Sequence, residues 1–264
     1  MPSALLGALL VTLLVGPAVW SVDPRAQVLT ARLSGPSATN PLGTDQLGRD
    51  LLSRVLHGGR LSLGVSLVVT LLSAAIGIAV GSCAASRGGW TDAALVRVVD
   101  ILLAFPFLIL ALVVAGLWGG GVSGIVAALG LLGWGSYARV ARVETARIHA
   151  HPFVEAARVA GASPIRTFWR HVLPNAAPAL IVLAVARYGQ TILTIAGLSF
   201  LGVGVQPPTP EWGAMLAEGL PFLERAPHVL WAPALAVTVA CLIVSVVADA
   251  WRRALDPTEA QGGD

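Results

Sequence analysis

Long apolar runs alternate along the chain with short charged islands, and the runs have a telling length. A helix needs about 20 apolar residues to cross the hydrocarbon core of a bilayer. Residues 1–22 carry no charged side chain, and neither do residues 61–86, between Arg60 and Arg87. Each reads as one span. The uncharged stretch 101–138 is too long for a single crossing. It is interrupted by "GGGVSG" at 119–124, so it reads as two helices joined by a tight glycine turn. From 171 to 210 the only charge is Arg187, and 226–248 has none. The pattern predicts an all-α integral membrane protein with six transmembrane helices, near 4–22, 61–85, 96–118, 123–143, 175–204 and 228–251.

Composition agrees and removes other classes. Of 264 residues 56% are hydrophobic and only 12% charged, about half the charged share of soluble domains, and the mean hydropathy is +0.78. A net charge of +3 is too small to point to nucleic acid. Cys83 and Cys241 both fall in apolar runs and read as packing residues, not as a disulfide framework. The first run lacks the basic leader of a signal peptide, although "AVWSVDP" at 18–24 offers small residues near a cleavage point; it reads as a retained anchor.

Arginines near span ends set the orientation. Arg139, Arg142, Arg147, Arg158, Arg166 and Arg170 lie between spans four and five, and Arg252 and Arg253 lie after span six. With those segments cytoplasmic, both termini are inside. Segment 23–60 then lies outside with Arg25, Arg32, Arg49, Arg54 and Arg60, which pulls against the rule; ten arginines still fall inside against six outside.

The cytoplasmic island "VEAARVAGASPIRTFWRHVLP" at 154–174 is patterned. Pro152 suits a first helical turn, Glu155 sits where the helix dipole favours a carboxylate, and Gly161 supplies a stop, giving a short helix over about 152–160. Ser163 caps a second start, with Pro164 at its first position, and this helix runs into Pro174. Phe153, Ala156, Ala157 and Ala160 recur on one face of the first helix. Such a face either lies in the lipid interface or admits close approach of another surface.

"EAARVAG", nine residues and "HVLP" resemble the EAA loop of the membrane subunits of type I ABC importers. Glu155, Ala156, Ala157, Gly161, Leu173 and Pro174 match, and His171 stands where isoleucine is usual. "PLGTDQLGRDLLSR" at 41–54, "RVVDILLAFPFLILAL" at 97–112, "FLGVGVQPPTPEWGAML" at 200–216 and "ALDP" at 254–257 resemble the C-type permeases of dipeptide, oligopeptide and nickel importers. The resemblance implies an N-terminal anchor and external segment over 1–60. A type I importer transmembrane domain follows over 61–257, with a cytoplasmic coupling loop at about 144–174.

It also implies a non-catalytic transporter subunit of a bacterial inner membrane. Its partners would be a homologous B-type permease, an extracytoplasmic binding protein, and two ATPase subunits or one fused ATPase. The chain would bind no cofactor, with ATP and magnesium held on the ATPases; it has no G-x-x-x-x-G-K-[ST]. Dipeptides or short peptides are the expected cargo, with nickel, glutathione and haem as alternatives. A membrane enzyme would need converging groups, which His57, His149, His151, His171 and His228 do not suggest by position, and an ion-driven carrier would need midplane acids.

Arg187 stands inside the fifth expected span, with Gln190 one turn on. An intramembrane arginine faces a cavity or a partner, so the two residues either line the translocation path or pair with the second permease. Asp45, Arg49 and Asp50 read as solvated pairing on an exposed helix, and "QPPTPEW" at 206–212 as a rigid turn with Trp212 at the interface. Pro106 is expected to kink span three.

Overall fold

A computed structural model describes residues 2–255, in which the regular elements are helices joined by loops, with one isolated β-bridge between Thr44 and Asp50. The helices are α1 (Pro2–Val19), α2 (Leu51–Arg87), α3 (Gly89–Ala104), α4 (Phe107–Leu117), α5 (Gly121–His149), α6 (Pro152–Val159), α7 (Pro164–Thr167), α8 (Leu173–Phe200), α9 (Trp212–Gly219) and α10 (His228–Leu255). Among the described residues, four helices are long and apolar enough to cross a membrane: α2, α5, the continuous rod Pro164–Phe200, and α10. Asp256 and Pro257 of the "ALDP" motif lie outside the described residues.

The third expected span, 96–118, is not one rod. It is α3 and α4, set at 91° to each other. Pro106 has no N–H to continue the helix and forces the residue before it out of helical geometry; Phe105 accordingly sits at φ −88°, ψ 147°. The first expected span is the shorter apolar helix α1. Its Pro17 leaves the Leu13 carbonyl without an intrahelical donor, and Arg60 Nε of α2 supplies one at 2.7 Å.

α2 and α5 run side by side and parallel as the central pair. Their approach depends on glycine: a Cβ on Gly77 would lie 2.5 Å from the Trp134 carbonyl oxygen, and one on Gly81 would lie 2.2 Å from that of Ala138. Lipid provides no hydrophobic drive between helices, so close backbone contact of this kind holds them. Gly119, Gly120 and Gly121, all at positive φ, make the expected turn between α4 and α5. α3 lies against α5 through Leu95, Val99 and Ala138 and two ion pairs: Arg139 Nη2 to Asp100 at 2.8 Å, and Arg142 with Asp92.

Three of the arginines assigned to the loop after span four therefore belong to a helix. α5 runs on to His149, and Arg147 pairs with Glu144 one turn back at 2.7 Å. Of the cysteines, Cys241 packs at the edge of the largest core cluster, whereas Cys83 is exposed.

Around 40–60 and 200–230 the chain builds a polar platform at the end of the molecule opposite α6. Asp45, Arg49 and Asp50 are not on an exposed helix. They lie in the loop leading into α2 and are 2%, 1% and 3% exposed. Arg49 Nε meets Asp45 Oδ2 at 2.5 Å, and Arg49 and Arg54 both reach Glu218 of α9, Arg54 at 2.6 Å. Asp50 caps α2 through the Ser53 N–H at 2.7 Å and accepts from Trp20 Nε1 at 2.9 Å and Asn40 Nδ2 at 2.8 Å. Trp212 is buried, not interfacial, and donates through Nε1 to the Val55 carbonyl at 2.9 Å. Beside it Glu211 caps α9 and accepts from Ser62 Oγ at 2.7 Å.

Candidate functional sites: the coupling segment and a membrane cavity

The segment carrying Glu155 folds as its caps dictate. Pro152 occupies the first turn of α6 and Ser163 Oγ caps α7 through the Arg166 N–H at 3.3 Å. Gly161 takes φ +83°, a region that costs any residue with a Cβ. Its N–H bonds the Arg158 carbonyl at 2.9 Å, while Ala162 N–H bonds that of Ala157 at 3.0 Å, closing the C-terminus of α6. A Cβ on Gly161 would meet nothing within 4 Å, so backbone conformation alone demands glycine there.

One residue anchors α6. Val154 is 0% exposed and packs with Ala141, Ile148, Val172 and Ala176 at the foot of α5 and α8. Glu155, Ala156 and Ala160 are exposed and Ala157 half-buried, so most of the small face stays uncovered by this chain. Next to it Val159, Ile165 and Trp169 are 84%, 74% and 64% exposed. Arg158, Arg166 and Arg170 have no carboxylate within salt-bridge distance among the described residues.

The passage into α8 differs from expectation. Pro174 neither ends a helix nor sets an angle between two. Residues 168–172 form a π-helical turn in which Leu173 N–H reaches back to the Phe168 carbonyl, and the rod continues through Leu173 and Pro174. The wider turn accommodates a proline that lacks the donor for a regular ladder. His171 sits in this turn, its carbonyl taken by Asn175 Nδ2 at 2.6 Å and its ring 6.3 Å from that of Phe153. α6 is thus joined at Gly161 to a lever of 37 residues that runs from Pro164 to Phe200.

The same lever carries Arg187 and Gln190. Arg187 Nη1 donates to Gln190 Oε1 at 3.1 Å, and both line a cavity of about 430 Å3 between α2, the α3–α4 bend, α5 and α8. Thr70, Ser73, Ser136 and Tyr137 add hydroxyls, and Leu103 and Phe107 flank it on either side of the bend. Among the described residues no aspartate or glutamate lines it. An arginine at the centre of a membrane helix costs roughly 2.5–3.5 kcal/mol on insertion scales, so a polar cavity is where it belongs.

A family model described as "Binding-protein-dependent transport system inner membrane component" matches residues 73–260. The chain belongs to this family. Among its relatives, the glutathione transport system permease protein GsiD of Pectobacterium atrosepticum is 38% identical over 260 residues, 96% of this chain and 86% of that protein. GsiD of Escherichia coli O157:H7 is 40% identical over 224 residues, 85% and 74% of the two chains.

The permease also shares its fold with the MetNI methionine ABC transporter in inward facing conformations, at TM-score 0.60 and 20% identity over 76% of this chain and 96% of that one. A crystal structure of an amino acid ABC transporter with histidines gives TM-score 0.55 at 17% identity, over 76% and 93%. The permease is thus a non-catalytic subunit of the dipeptide, oligopeptide and nickel type of ABC importer, working with ATPase and substrate-binding partners.

The residues that hold the sites in place were the less visible ones. Glu218 is the acid on which the platform arginines converge, Val154 the anchor of α6, and Tyr137 a cavity wall contributed by another helix. Glu218 on α9 and Tyr137 on α5 read in the chain as isolated residues, because the partners that give them their roles are far off in sequence.

Proposed function

We propose that this permease couples to its ATPase through α6 and the turn at Gly161, with Glu155, Ala156, Ala157 and Gly161 forming the docking face and Leu173 and Pro174 passing its motion into α8. The observation that carries the reading is the uncovered small face of α6, anchored from behind by Val154 alone and lying beside exposed Ile165 and Trp169. Such a helix docks closely and moves as one body with the lever. The α6 end is then cytoplasmic, with both termini inside, and the platform faces outward. A homologous B-type permease completes the translocation path along Arg187 and Gln190, and ATP and magnesium bind on the ATPases.

The cargo we favour is glutathione in place of the dipeptides expected at first, because relatives 38% and 40% identical are named as glutathione permeases. The two share peptide chemistry. The test is ATPase activity of the purified complex in nanodiscs, with the binding protein empty or loaded with glutathione, a dipeptide or nickel. Stimulation chiefly by the glutathione form is expected; stimulation by another ligand alone removes glutathione from the proposal. Gly161→Trp should insert normally and abolish uptake, and unaltered uptake would overturn the coupling role.

A further inference from the structure

We propose that Arg187, held by Gln190, is a carboxylate-binding station on the path, and that the permease itself thereby selects substrates bearing a carboxylate. The proposal rests on the reading above and adds the chemistry of the wall. The bond from Arg187 Nη1 uses the carboxamide oxygen of Gln190, so the end of Gln190 left over is its NH2, a donor. Ser73 donates to the Leu129 carbonyl at 3.2 Å, and Thr191 and Thr194 donate to the carbonyls of Arg187 and Gln190 at 3.0 and 2.8 Å. Those hydroxyl protons are already committed. Thr70 donates to Thr191 Oγ1 at 3.4 Å, so what the cavity offers a visitor is a guanidinium fork, an amide NH2 and the Ser136 and Tyr137 hydroxyls, with no acid among the described residues to balance them.

That set complements an oxyanion. A guanidinium binds a carboxylate through two parallel N–H donors, and a low-dielectric wall strengthens the contact. A substrate ammonium finds no counter-charge here, and a bare divalent cation meets repulsion. Glutathione carries two carboxylates and a peptide one, so both can use the station, and the cavity discriminates by charge.

The test uses the complete transporter in proteoliposomes with its binding protein, measuring glutathione accumulated per ATP hydrolysed. Arg187→Ala should lower that ratio by about tenfold or more, the worth of a charge-assisted hydrogen bond. Arg187→Lys should recover part of it, having the charge without the fork. Gln190→Leu should fall between. An unchanged ratio in Arg187→Ala overturns the proposal, and so does dissociation of that variant's complex on size exclusion, which makes Arg187 a pairing residue toward the second permease. If the wild type moves dialanine and not glutathione, with the same dependence on Arg187, the station stands and the glutathione reading falls.

Discussion

The two ends of this membrane domain treat charge in opposite ways. At the platform, Asp45, Arg49, Arg54 and Glu218 are drawn together and matched within the chain, and Asp50 is held by Trp20, Asn40 and the start of α2. At the α6 end, Glu155, Arg158, Arg166 and Arg170 are exposed with no opposite partner among the described residues. The aromatics repeat the contrast: Trp212 is 1% exposed and hydrogen-bonded, Trp169 64% exposed. At one end the charges are paired within the fold, although Arg54 Nη1 and Gln46 Oε1 are buried without a partner. The other leaves charges and large apolar side chains uncovered by this chain, as the proposed coupling role requires.

The largest effect should come from breaking the platform. Arg54→Ala leaves Glu218 and Asp45 short of a cation inside the fold, at a cost of about 3–5 kcal/mol, typical of opening a buried ion pair from one side. Arg54→Leu combined with Glu218→Leu should cost much less, because Arg49 and Asp45 still neutralise each other. Thermal unfolding of the detergent-solubilised protein checks both; a small shift for the single variant would mean that water already reaches the network.

The two ends also differed in how far the sequence disclosed them. The segment around α6 was readable because its signals are local: Pro152, Gly161, Ser163 and Pro164 each act on the few peptide groups around them, and α6 begins and ends, and α7 begins, where those residues require. The platform depends on contact across 169 positions, between Arg49 and Glu218, and no local pattern encodes that. Asp45, Arg49 and Asp50 imitate helical spacing while forming a loop. Pro106 announced a kink but not its angle of 91°. The second short helix was expected to run into Pro174, and a π-turn instead carries it through as one rod.

An intermediate effect belongs to the joint between α6 and the lever. Ser163→Ala removes the side-chain acceptor from the Arg166 N–H, worth about 1 kcal/mol at a helix start. The loss is confined to α7 because the rod beyond it is held by Val172, Ala176 and Leu180. Amide hydrogen exchange should show faster opening over 163–167 with little change at the platform; equal protection throughout would mean that Pro164 alone fixes the turn.

The smallest effect on folding should follow from Glu155→Gln, and this variant separates the two ends most cleanly. Glu155 lies in the first turn of α6, exposed and without an ion pair among the described residues, so losing its charge removes only an exposed dipole interaction, about 0.3–1 kcal/mol. The melting transition should barely move, since Val154 still anchors the helix and the platform is untouched. Whatever Glu155 contributes beyond that is contributed across the uncovered face of α6, to a partner. ATPase stimulation by loaded binding protein should therefore fall in this variant while its melting curve overlays the parent's. A variant that melts early and couples normally would reverse the assignment, making Glu155 part of the fold and leaving Arg158, Arg166 and Arg170 as the charges that meet the ATPase.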